Sequence, residues 1–296
     1  YMTVLRTPEA RFENLKDFDF KPNYFESSYN GQNLRMHFLD ENKESDDVVL
    51  LLHGEPTWCY LYRHIIPILT KAGKRVIAPD LIGFGKSDKL TDKDDYTYAN
   101  HIMWVSQLFE YLQLDNIVLF AQDWGGLIGL RILAENPEKF SGLVVSNSGL
   151  PVGSGASEGF KQWLNYSQTV EDFNAGKIVY QGSLKALDNF EIDAYNAPFP
   201  DDSFKVAARV FPTIVPITKE HAEVEENIKA WEVLKKFDRP TVAIFGEHDA
   251  SFKDGDKYII EKIAGAKGMN HQRINAGHFS QENQPTLIAK TILSIS

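Results

Sequence analysis

Residues 116–129, NIVLFAQDWGGLIG, constrain the fold more than any other stretch of the sequence. The run at 117–120 is short, apolar and rich in β-formers, which predicts a strand covered on both faces. Two glycines follow at 125–126, and apolar spacing typical of a helix begins at Leu127. The sequence therefore predicts a buried strand that turns into a helix across one acidic residue, Asp123.

Asp123 stands where a nucleophile elbow places its reactive residue. In that motif small residues flank the nucleophile so that a strained turn can lift its side chain above the sheet, and Ala121 and Gly125 supply them here. A carboxylate at this position indicates attack on an sp³ carbon that bears a leaving group, with an alkyl ester formed on the enzyme. Asp123 would also be a good N-cap for the following helix. This segment alone leaves both interpretations open.

Composition and charge narrow the class of protein. A chain of 296 residues with 43% hydrophobic content can bury one large core and still carry an insertion. The formal net charge of −10 disfavours nucleic acid and anionic membrane as partners, because both reward clustered Lys and Arg. Cys59 is the one cysteine, which rules out an intrachain disulfide and suits a buried thiol in a reducing compartment. With no membrane-length apolar run, a soluble cytoplasmic protein is expected.

Strand and helix patterns alternate along most of the chain. An opening hairpin is predicted at 24–40, with Asn30 and Gly31 at its turn. Helical spacing at 96–112, at 219–237 (Val224, Ile228, Trp231 and Leu234 on one face) and from about Thr286 to the end separates the buried strands, which are predicted at 47–52, 75–79, 117–120, 143–146, 241–245 and 272–275. This order predicts an α/β protein with a mostly parallel central sheet and helices on both faces.

Residues 151–217 break the alternation. They contain no convincing strand, and their short helical patterns are interrupted by prolines and dense in aromatic residues. We interpret 150–218 as a helical lid inserted into a core formed by residues 1–149 and 219–296. Such a lid could roof the carboxyl edge of the sheet, which is where open α/β folds bind their ligands.

Three chemically capable residues follow separate predicted strands in the order Asp123, Asp249, His278. This is the nucleophile, acid, histidine order of α/β-hydrolases, and it favours catalysis over three unrelated caps and loop residues. His248 is a rival base, although it should point away from its neighbour. The loop at 80–88 lacks the third glycine of a dinucleotide site, and the eight histidines show no metal-site spacing, so neither a metal nor a cofactor is expected.

Several motifs resemble those of one family, the haloalkane dehalogenases of the α/β-hydrolase fold, across essentially the whole chain. They are HGEPTW at 53–58, APDLIGFGKSD at 78–88, QDWGG at 122–126, GFKQW at 159–163 and AGHF at 276–279. The resemblance is closest to the subfamily whose triad acid follows the penultimate strand, because Asp249 lies there and the loop after the earlier strand offers Asn147 and Ser148.

The resemblance implies a role for each site residue. Asp123, Asp249 and His278 would form the triad, Trp124 and Trp163 would hold the halide, and the backbone N–H groups of Glu55 and Trp124 would form the oxyanion hole. Indole N–H groups suit a departing halide because they donate hydrogen bonds and cannot attack. The implied pocket residues are Phe160, Phe211, Pro212 and Phe279. A cytoplasmic monomer that uses water to convert a halogenated alkane to a primary alcohol, a halide ion and a proton is expected.

Two other functions remain open on the sequence alone. An epoxide hydrolase shares the fold and the Asp elbow, and it needs two lid tyrosines, for which Tyr166, Tyr180 and Tyr195 are available. A lid indole on the cavity, rather than paired phenols, would favour dehalogenation. The second alternative is a non-catalytic binder of small molecules. Fluoroacetate-type dehalogenases resemble one another in an arginine after the nucleophile, where this chain has Trp124, so carboxylated substrates are disfavoured.

Overall fold

The buried apolar runs of the sequence form a central sheet. The structure of the protein is a computed structural model, which describes residues 2–252 and 254–296. The strands are β1 (Val4–Leu5), β2 (Asn23–Tyr29), β3 (Gln32–Glu41), β4 (Val48–Leu52), β5 (Arg75–Pro79), β6 (Lys89–Leu90), β7 (Ile117–Gln122), β8 (Phe140–Ser146), β9 (Thr241–Gly246) and β10 (Gln272–Ile274). Every residue of β4, β7 and β9 is buried, as their apolar sequences predict.

Eight of these strands form one sheet in the order β10-β9-β8-β7-β4-β5-β3-β2. The six strands from β10 to β5 in this order pair in parallel, and β3 and β2 add an antiparallel edge. Leu52 pairs with Ala121, so β4 and β7 end side by side. The residues after them, including Glu55 and Asp123, are thereby brought to one point on the carboxyl edge.

Helices cover the sheet and connect its strands. They are α1 (Ile66–Lys71), α2 (Tyr98–Leu112), α3 (Trp124–Glu135), α4 (Glu158–Thr169), α5 (Ala175–Gly182), α6 (Asn189–Asn196), α7 (Val206–Val210), α8 (Val224–Leu234), α9 (Asp256–Lys262), α10 (Ser280–Asn283) and α11 (Pro285–Ser294). Buried side chains form two clusters, one that includes the apolar face of α2 and one that includes α11. The predicted fold class, an α/β protein with a mostly parallel sheet, is confirmed.

Local predictions hold with two corrections. The hairpin of β2 and β3 turns at Asn30 and Gly31, whose φ angles of 48° and 75° suit that pair. The helix after Asp123 begins at Trp124, three residues earlier than predicted, because the turn is completed within one residue. α8 is shorter than predicted, and Ile228 is 48% exposed while Asn227 is buried. The buried face of α8 is therefore rotated, because Asn227 bonds to the backbone of Pro151 and to Arg131.

The segment between β8 and α8 carries the four short helices α4 to α7. Within its described residues the one strand-type pairing is an isolated antiparallel bridge from Ser154 to Thr218, which joins the two ends of the segment. No helix in the described part of the chain is both long enough and apolar enough to cross a membrane.

Candidate active site

Asp123 lies at the turn between β7 and α3 in a strained backbone conformation. Its φ of 53° and ψ of −133° fall in a region that non-glycine residues rarely adopt, and such strain persists where the surrounding structure enforces it. The side chain does cap α3, because Oδ2 accepts the backbone N–H of Trp124 at 2.6 Å. Capping is only one of the contacts of this side chain, because Oδ2 also accepts the N–H of Glu55 at 2.8 Å.

Two glycines allow this turn to approach the end of β4. A Cβ atom at Gly54 would lie 2.3 Å from Asp123 Oδ2, and a Cβ atom at Gly125 would lie 2.2 Å from the carbonyl oxygen of Leu52. Both positions exclude any larger residue unless the backbone moves. The small residues in the sequence therefore let the two backbone N–H donors converge on one carboxylate oxygen.

His278 joins the two carboxylates into a chain of hydrogen bonds. Its Nε2 lies 2.9 Å from Asp123 Oδ1, and its Nδ1 lies 2.6 Å from Asp249 Oδ2. Asn147 donates to the same Asp249 oxygen at 3.1 Å, and the N–H of Ser251 donates to the other at 2.9 Å. The structure therefore brings together the three residues that the sequence singled out. His248 points elsewhere, with Nε2 on Asn275.

The charges of this chain favour a protonated imidazole. Burial alone would lower the pKa of His278, but the neighbouring Asp249 and Asp123 outweigh it and raise that pKa to about 10. Burial would likewise raise the pKa of Asp249, and the charge and hydrogen bond of His278 instead hold it below its ordinary value. In the free protein the histidine is thus a cation between two carboxylates, and it becomes a base when one of those charges is removed.

Three supporting residues were not identified from the sequence. Asn147 bonds both to Asp249 and to the backbone of Gly246, so it fixes the loop after β9. Gln122 donates to the carbonyl oxygen of His278 at 3.0 Å, and the ring of Phe252 stacks on the imidazole at 5.6 Å. The position of Gln122 just before the nucleophile was a signal in the sequence, whereas the Phe252 contact depends on how its loop folds.

A cavity of about 570 Å³ opens above Asp123. Its floor includes Glu55, Asp123, Trp124, Asp249, His278 and Phe279, and its roof includes Phe160, Trp163, Tyr166, Lys177, Ile178, Gln181 and Pro212. Most of these side chains are apolar, with a few convergent polar groups, as is typical of a site for a small molecule. The residues of α4 and α5 supply much of the roof.

Phe211 was expected in the pocket, and this expectation is wrong. The ring is fully buried behind Trp124, on which it stacks at a centroid distance of 4.6 Å, and it also stacks on Phe84 at 5.0 Å. Its neighbour Pro212 does line the cavity, as do Phe160 and Phe279. Phe211 therefore supports the indole of Trp124 from below instead of facing a ligand.

Two indole N–H groups on the cavity have no protein acceptor. Of the five tryptophans, Trp58 and Trp231 donate to backbone carbonyls, at 3.1 and 2.9 Å respectively. Trp124 and Trp163 line the cavity, and their Nε1 atoms form no hydrogen bond within the described part of the chain. The Nε1 atom of Trp104 also has no partner among the described residues, but it is buried and Trp104 does not line the cavity. The cavity therefore has two free donors of the type that a halide or another small anion accepts from.

The Glu55 side chain is a buried acid without a partner. It is 4% exposed, and neither carboxyl oxygen has a hydrogen-bond partner among the described residues. Burial, and then the charge of Asp123, raise the pKa of this carboxyl well above its ordinary value. Burial therefore favours the neutral form of this acid.

This burial leads to a testable effect on stability. Because the folded protein holds a proton on Glu55 that the unfolded chain releases above its ordinary pKa of 4.5, the free energy of unfolding should fall as pH rises from there. Glu55→Gln should abolish that contribution, so its stability advantage over wild type should grow by at most about 1.4 kcal/mol per pH unit. Denaturant unfolding at pH 5 and pH 7.5 measures this, with Glu110→Gln on the exposed side of α2 as the control. An advantage independent of pH would mean that Glu55 is ionised in the folded protein.

One cluster in the described residues has the composition of a metal site. His37, Cys59 and Asp80 are buried, and one ligand atom from each lies within 4.8 Å of the others. Asp80 already accepts hydrogen bonds from His37 Nδ1 and from the backbone N–H groups of Cys59 and Lys86. Its pKa falls to about 2, because these donors and the histidines outweigh the effect of burial. Protein donors thus satisfy the carboxylate, which fixes the loop after β5.

The parallel sheet, the elbow after a central strand and the Asp-His-Asp chain at its carboxyl edge define the α/β-hydrolase class. In agreement, residues 47–285 match the sequence profile of the alpha/beta hydrolase fold. A haloalkane dehalogenase of Psychrobacter cryohalolentis is 48% identical over 99% of this chain and 97% of its own length, and one of Mycolicibacterium paratuberculosis is 45% identical over 99% and 98%. The chain belongs to the haloalkane dehalogenases, hydrolases that act on carbon–halide bonds.

A solved structure agrees with this assignment. DpaA, a tetrameric haloalkane dehalogenase from Paraglaciecola agarilytica NO2, superimposes with a TM-score of 0.92 at 36% identity. The superposition covers 99% of this chain and 98% of DpaA. The likeness extends over the whole fold, including the segment that carries α4 to α7.

Proposed function

We propose that the protein removes halide from haloalkanes in two steps, with Asp123 as nucleophile, His278 as base, Asp249 as its supporting acid, and Trp124 and Trp163 as halide donors. The observation that carries this proposal is the pair of unpartnered indole N–H groups on the cavity that contains Asp123. Two fixed donors in a largely dry site stabilise the charge that develops on a leaving halogen.

In the first step Asp123 Oδ1 attacks the carbon and the carbon–halogen bond breaks. Oδ2 is held by the N–H groups of Glu55 and Trp124, whereas Oδ1 contacts only His278 Nε2 among the described residues and keeps a lone pair to form the new bond. The electron pair of the broken bond leaves with the halide, and the product is an alkyl ester on Asp123. No proton moves in this step.

In the second step water attacks the carbonyl carbon of the ester. Esterification removes the charge of Asp123, one of the two carboxylates that raise the pKa of His278, so the imidazolium loses its proton to solvent and the neutral imidazole can then take a proton from water. The oxyanion forms at Oδ2, where the two backbone N–H groups already point. Collapse releases the primary alcohol, which carries the second proton of the water, and it restores the Asp123 carboxylate. His278, again between two carboxylates, keeps the proton taken from water.

The finer assignments form part of the same proposal. We assign residues 150–218 as the lid and 1–149 with 219–296 as the core, and we place the chain in the subfamily whose acid follows the penultimate strand. Asp249 after β9 and a lid tryptophan on the cavity support these assignments. The chain is proposed to act as a cytoplasmic monomer without a cofactor. DpaA is described as a tetramer, so measuring the molecular mass in solution is the direct test of the monomer proposal.

Epoxide hydrolysis is disfavoured because the lid does not present paired phenols to the cavity. Tyr195 is fully buried and its hydroxyl donates to Glu282 at 3.0 Å, and Tyr180 does not line the cavity. Tyr166 alone of the three lines it, at 40% exposure. Beside Tyr166, the lid presents the indole of Trp163 to the cavity instead of a second phenol.

Trp163→Phe tests the halide site. The variant should bind bromide about 30-fold more weakly and release halide from 1-chlorobutane more slowly, because losing a donor to a charged acceptor costs roughly 2 kcal/mol. Bromide titration of tryptophan fluorescence measures the affinity. Trp231→Phe is the control, because it also removes one indole but from a residue bonded to Leu150.

Unchanged bromide binding in Trp163→Phe would show that Trp163 does not bind halide and only packs in the lid. Turnover of 1,2-epoxybutane by wild type at a rate comparable with 1-bromobutane would favour the alternative function. The two outcomes are separate, because one reports on the leaving-group site and the other on the kind of bond that is broken.

A further inference from the structure

The mouth of the cavity is formed by polar side chains that no described residue engages. Among the residues that line the cavity, Tyr166, Lys177 and Gln181 are the exposed ones, so they mark where it meets solvent. Within the described part of the chain, no hydrogen bond or ion pair involves the Tyr166 hydroxyl, the Lys177 ammonium or the Gln181 amide. The floor holds the reacting groups, and the mouth holds the one lysine of the lining.

The fold of α5 fixes two of these residues on the cavity side. Ala175, Gly176 and Val179 are its buried face, and a Cβ atom at Gly176 would lie 2.2 Å from the carbonyl oxygen of Ile192 in α6. Lys177 and Gln181 are one turn apart on the opposite face. Packing against α6 therefore directs the ammonium and the amide towards the same opening.

α5 also sets the distance from the mouth to the reaction centre. Its last residue, Gly182, accepts the N–H of Phe279 at 3.4 Å, so this end of the helix lies beside the residue that follows His278. Lys177 is five residues earlier, which is about 7.5 Å along the axis. A six-carbon chain has a comparable extended length, so it is the probe chosen for this rim.

We propose that Lys177, with Gln181 and Tyr166, forms a subsite for the terminal carboxylate of an ω-halogenated carboxylate. The ammonium would pair with the carboxylate while the amide and the phenol donate further hydrogen bonds to it. The argument from Trp124 against carboxylated substrates concerns a carboxylate on the reacting carbon, and here the carboxylate lies at the far end. This subsite rests on the proposed dehalogenation, in which such a substrate gives an ω-hydroxycarboxylate, halide and a proton.

Electrostatics make Lys177 the residue that decides whether a substrate with a terminal carboxylate is preferred. The chain carries a net charge of −10, and the floor contributes Asp123 and Asp249, so an anionic substrate is repelled unless a local cation offsets the field. An exposed pair of this kind changes affinity modestly, on the order of a few-fold, and is screened by salt. Loss of this ion pair should appear in KM, because the terminal carboxylate makes the same contact in the bound substrate and in the transition state.

The test compares 6-bromohexanoate with 1-bromohexane in wild type, Lys177→Met and Lys161→Met. Lys161 is exposed on α4 and does not line the cavity. Each variant therefore loses one positive charge from the lid, at the cavity mouth in Lys177→Met and away from the cavity in Lys161→Met. The ratio of kcat/KM for the carboxylate to that for the alkane should fall about three- to five-fold in Lys177→Met through KM. It should stay at the wild-type value in Lys161→Met and in Lys177→Arg.

The same measurements can overturn the subsite. An unchanged ratio in Lys177→Met, or an equal fall in Lys161→Met, would show that the rim is an ordinary solvated surface. Failure of wild type to release bromide from 6-bromohexanoate while it turns over 1-bromohexane would do the same. Failure with both substrates would instead overturn the dehalogenation on which the subsite depends.

Discussion

Replacement of His278 by glutamine is expected to release about one halide per site and then stop. Attack by Asp123 needs no proton transfer, whereas hydrolysis of the ester needs a base to activate water, so only the second step loses its catalyst. Glutamine keeps the size and a hydrogen-bonding end next to Asp123 Oδ1 but cannot take a proton. Bromide release after mixing with 1-bromobutane, followed by mass spectrometry of the intact protein, measures both halves of the prediction.

The alkyl mass should map to the peptide that contains Asp123. The control is His248→Gln, which changes the neighbouring rival base in an exposed position where Nε2 contacts Asn275, and it should turn over normally. If His278→Gln itself turned over normally, or formed no adduct while wild type was active, the covalent route would be wrong. Direct attack of water, with Asp123 as its base, would then be the better mechanism.

Asp249→Asn should preserve the halide burst and slow ester hydrolysis by a factor of roughly 10⁴, by analogy with the loss of the carboxylate from a Ser-His-Asp triad. The carboxylate fixes the tautomer of His278 through a 2.6 Å bond to Nδ1, and it is one of the two charges that raise the pKa of that imidazole to about 10. An amide can hold the ring in the wrong tautomer, and it cannot stabilise the imidazolium that forms when water is deprotonated.

Single-turnover kinetics separate the two steps of this variant, and Asp254→Asn, in the same loop but exposed, is its control. Equal loss of burst and hydrolysis would indicate that Asp249 mainly maintains the elbow. Normal turnover would move the supporting acid to another residue. Circular dichroism should show an unchanged fold, since the single oxygen of an asparagine can still accept from one of the two donors, Asn147 or the N–H of Ser251.

Much of the core could be predicted because its signals are local. The apolar runs that became β4, β7 and β9 are short and uninterrupted, and Asp123, Asp249 and His278 each follow a strand closely, so parallel order alone places them at one edge. The start of α3 was the exception. The strained conformation of Asp123, with a φ of 53° and a ψ of −133°, completes the turn within one residue, and the sequence does not reveal that conformation at an aspartate.

The lid was less readable because its helices are short and its apolar residues are divided between buried packing and the cavity. Phe211 and Pro212 are adjacent, yet one ring packs behind Trp124 and the other lines the cavity. The pattern of α5 does not say which of its faces meets α6, so Lys177, Ile178 and Gln181 could not be assigned to the cavity. Tyr195, a candidate hydroxyl donor by composition, is bonded to Glu282 from a different part of the chain.

The sequence by itself determined the fold class, the order of the candidate triad and the family, because these depend on periodicity and on motifs a few residues long. The tertiary structure decided which atoms meet and which stay without a partner. The two backbone N–H groups meet Asp123 Oδ2, whereas the indole N–H groups of Trp124 and Trp163 and the buried carboxyl of Glu55 have no partner among the described residues. The bond from the Glu55 N–H to Asp123 joins residues 68 positions apart, and the contact of His278 with Asp123 joins residues 155 positions apart. Hydrogen bonding, burial and pKa depend on separations of a few ångströms, which are set by packing between elements and not by the sequence within any one of them.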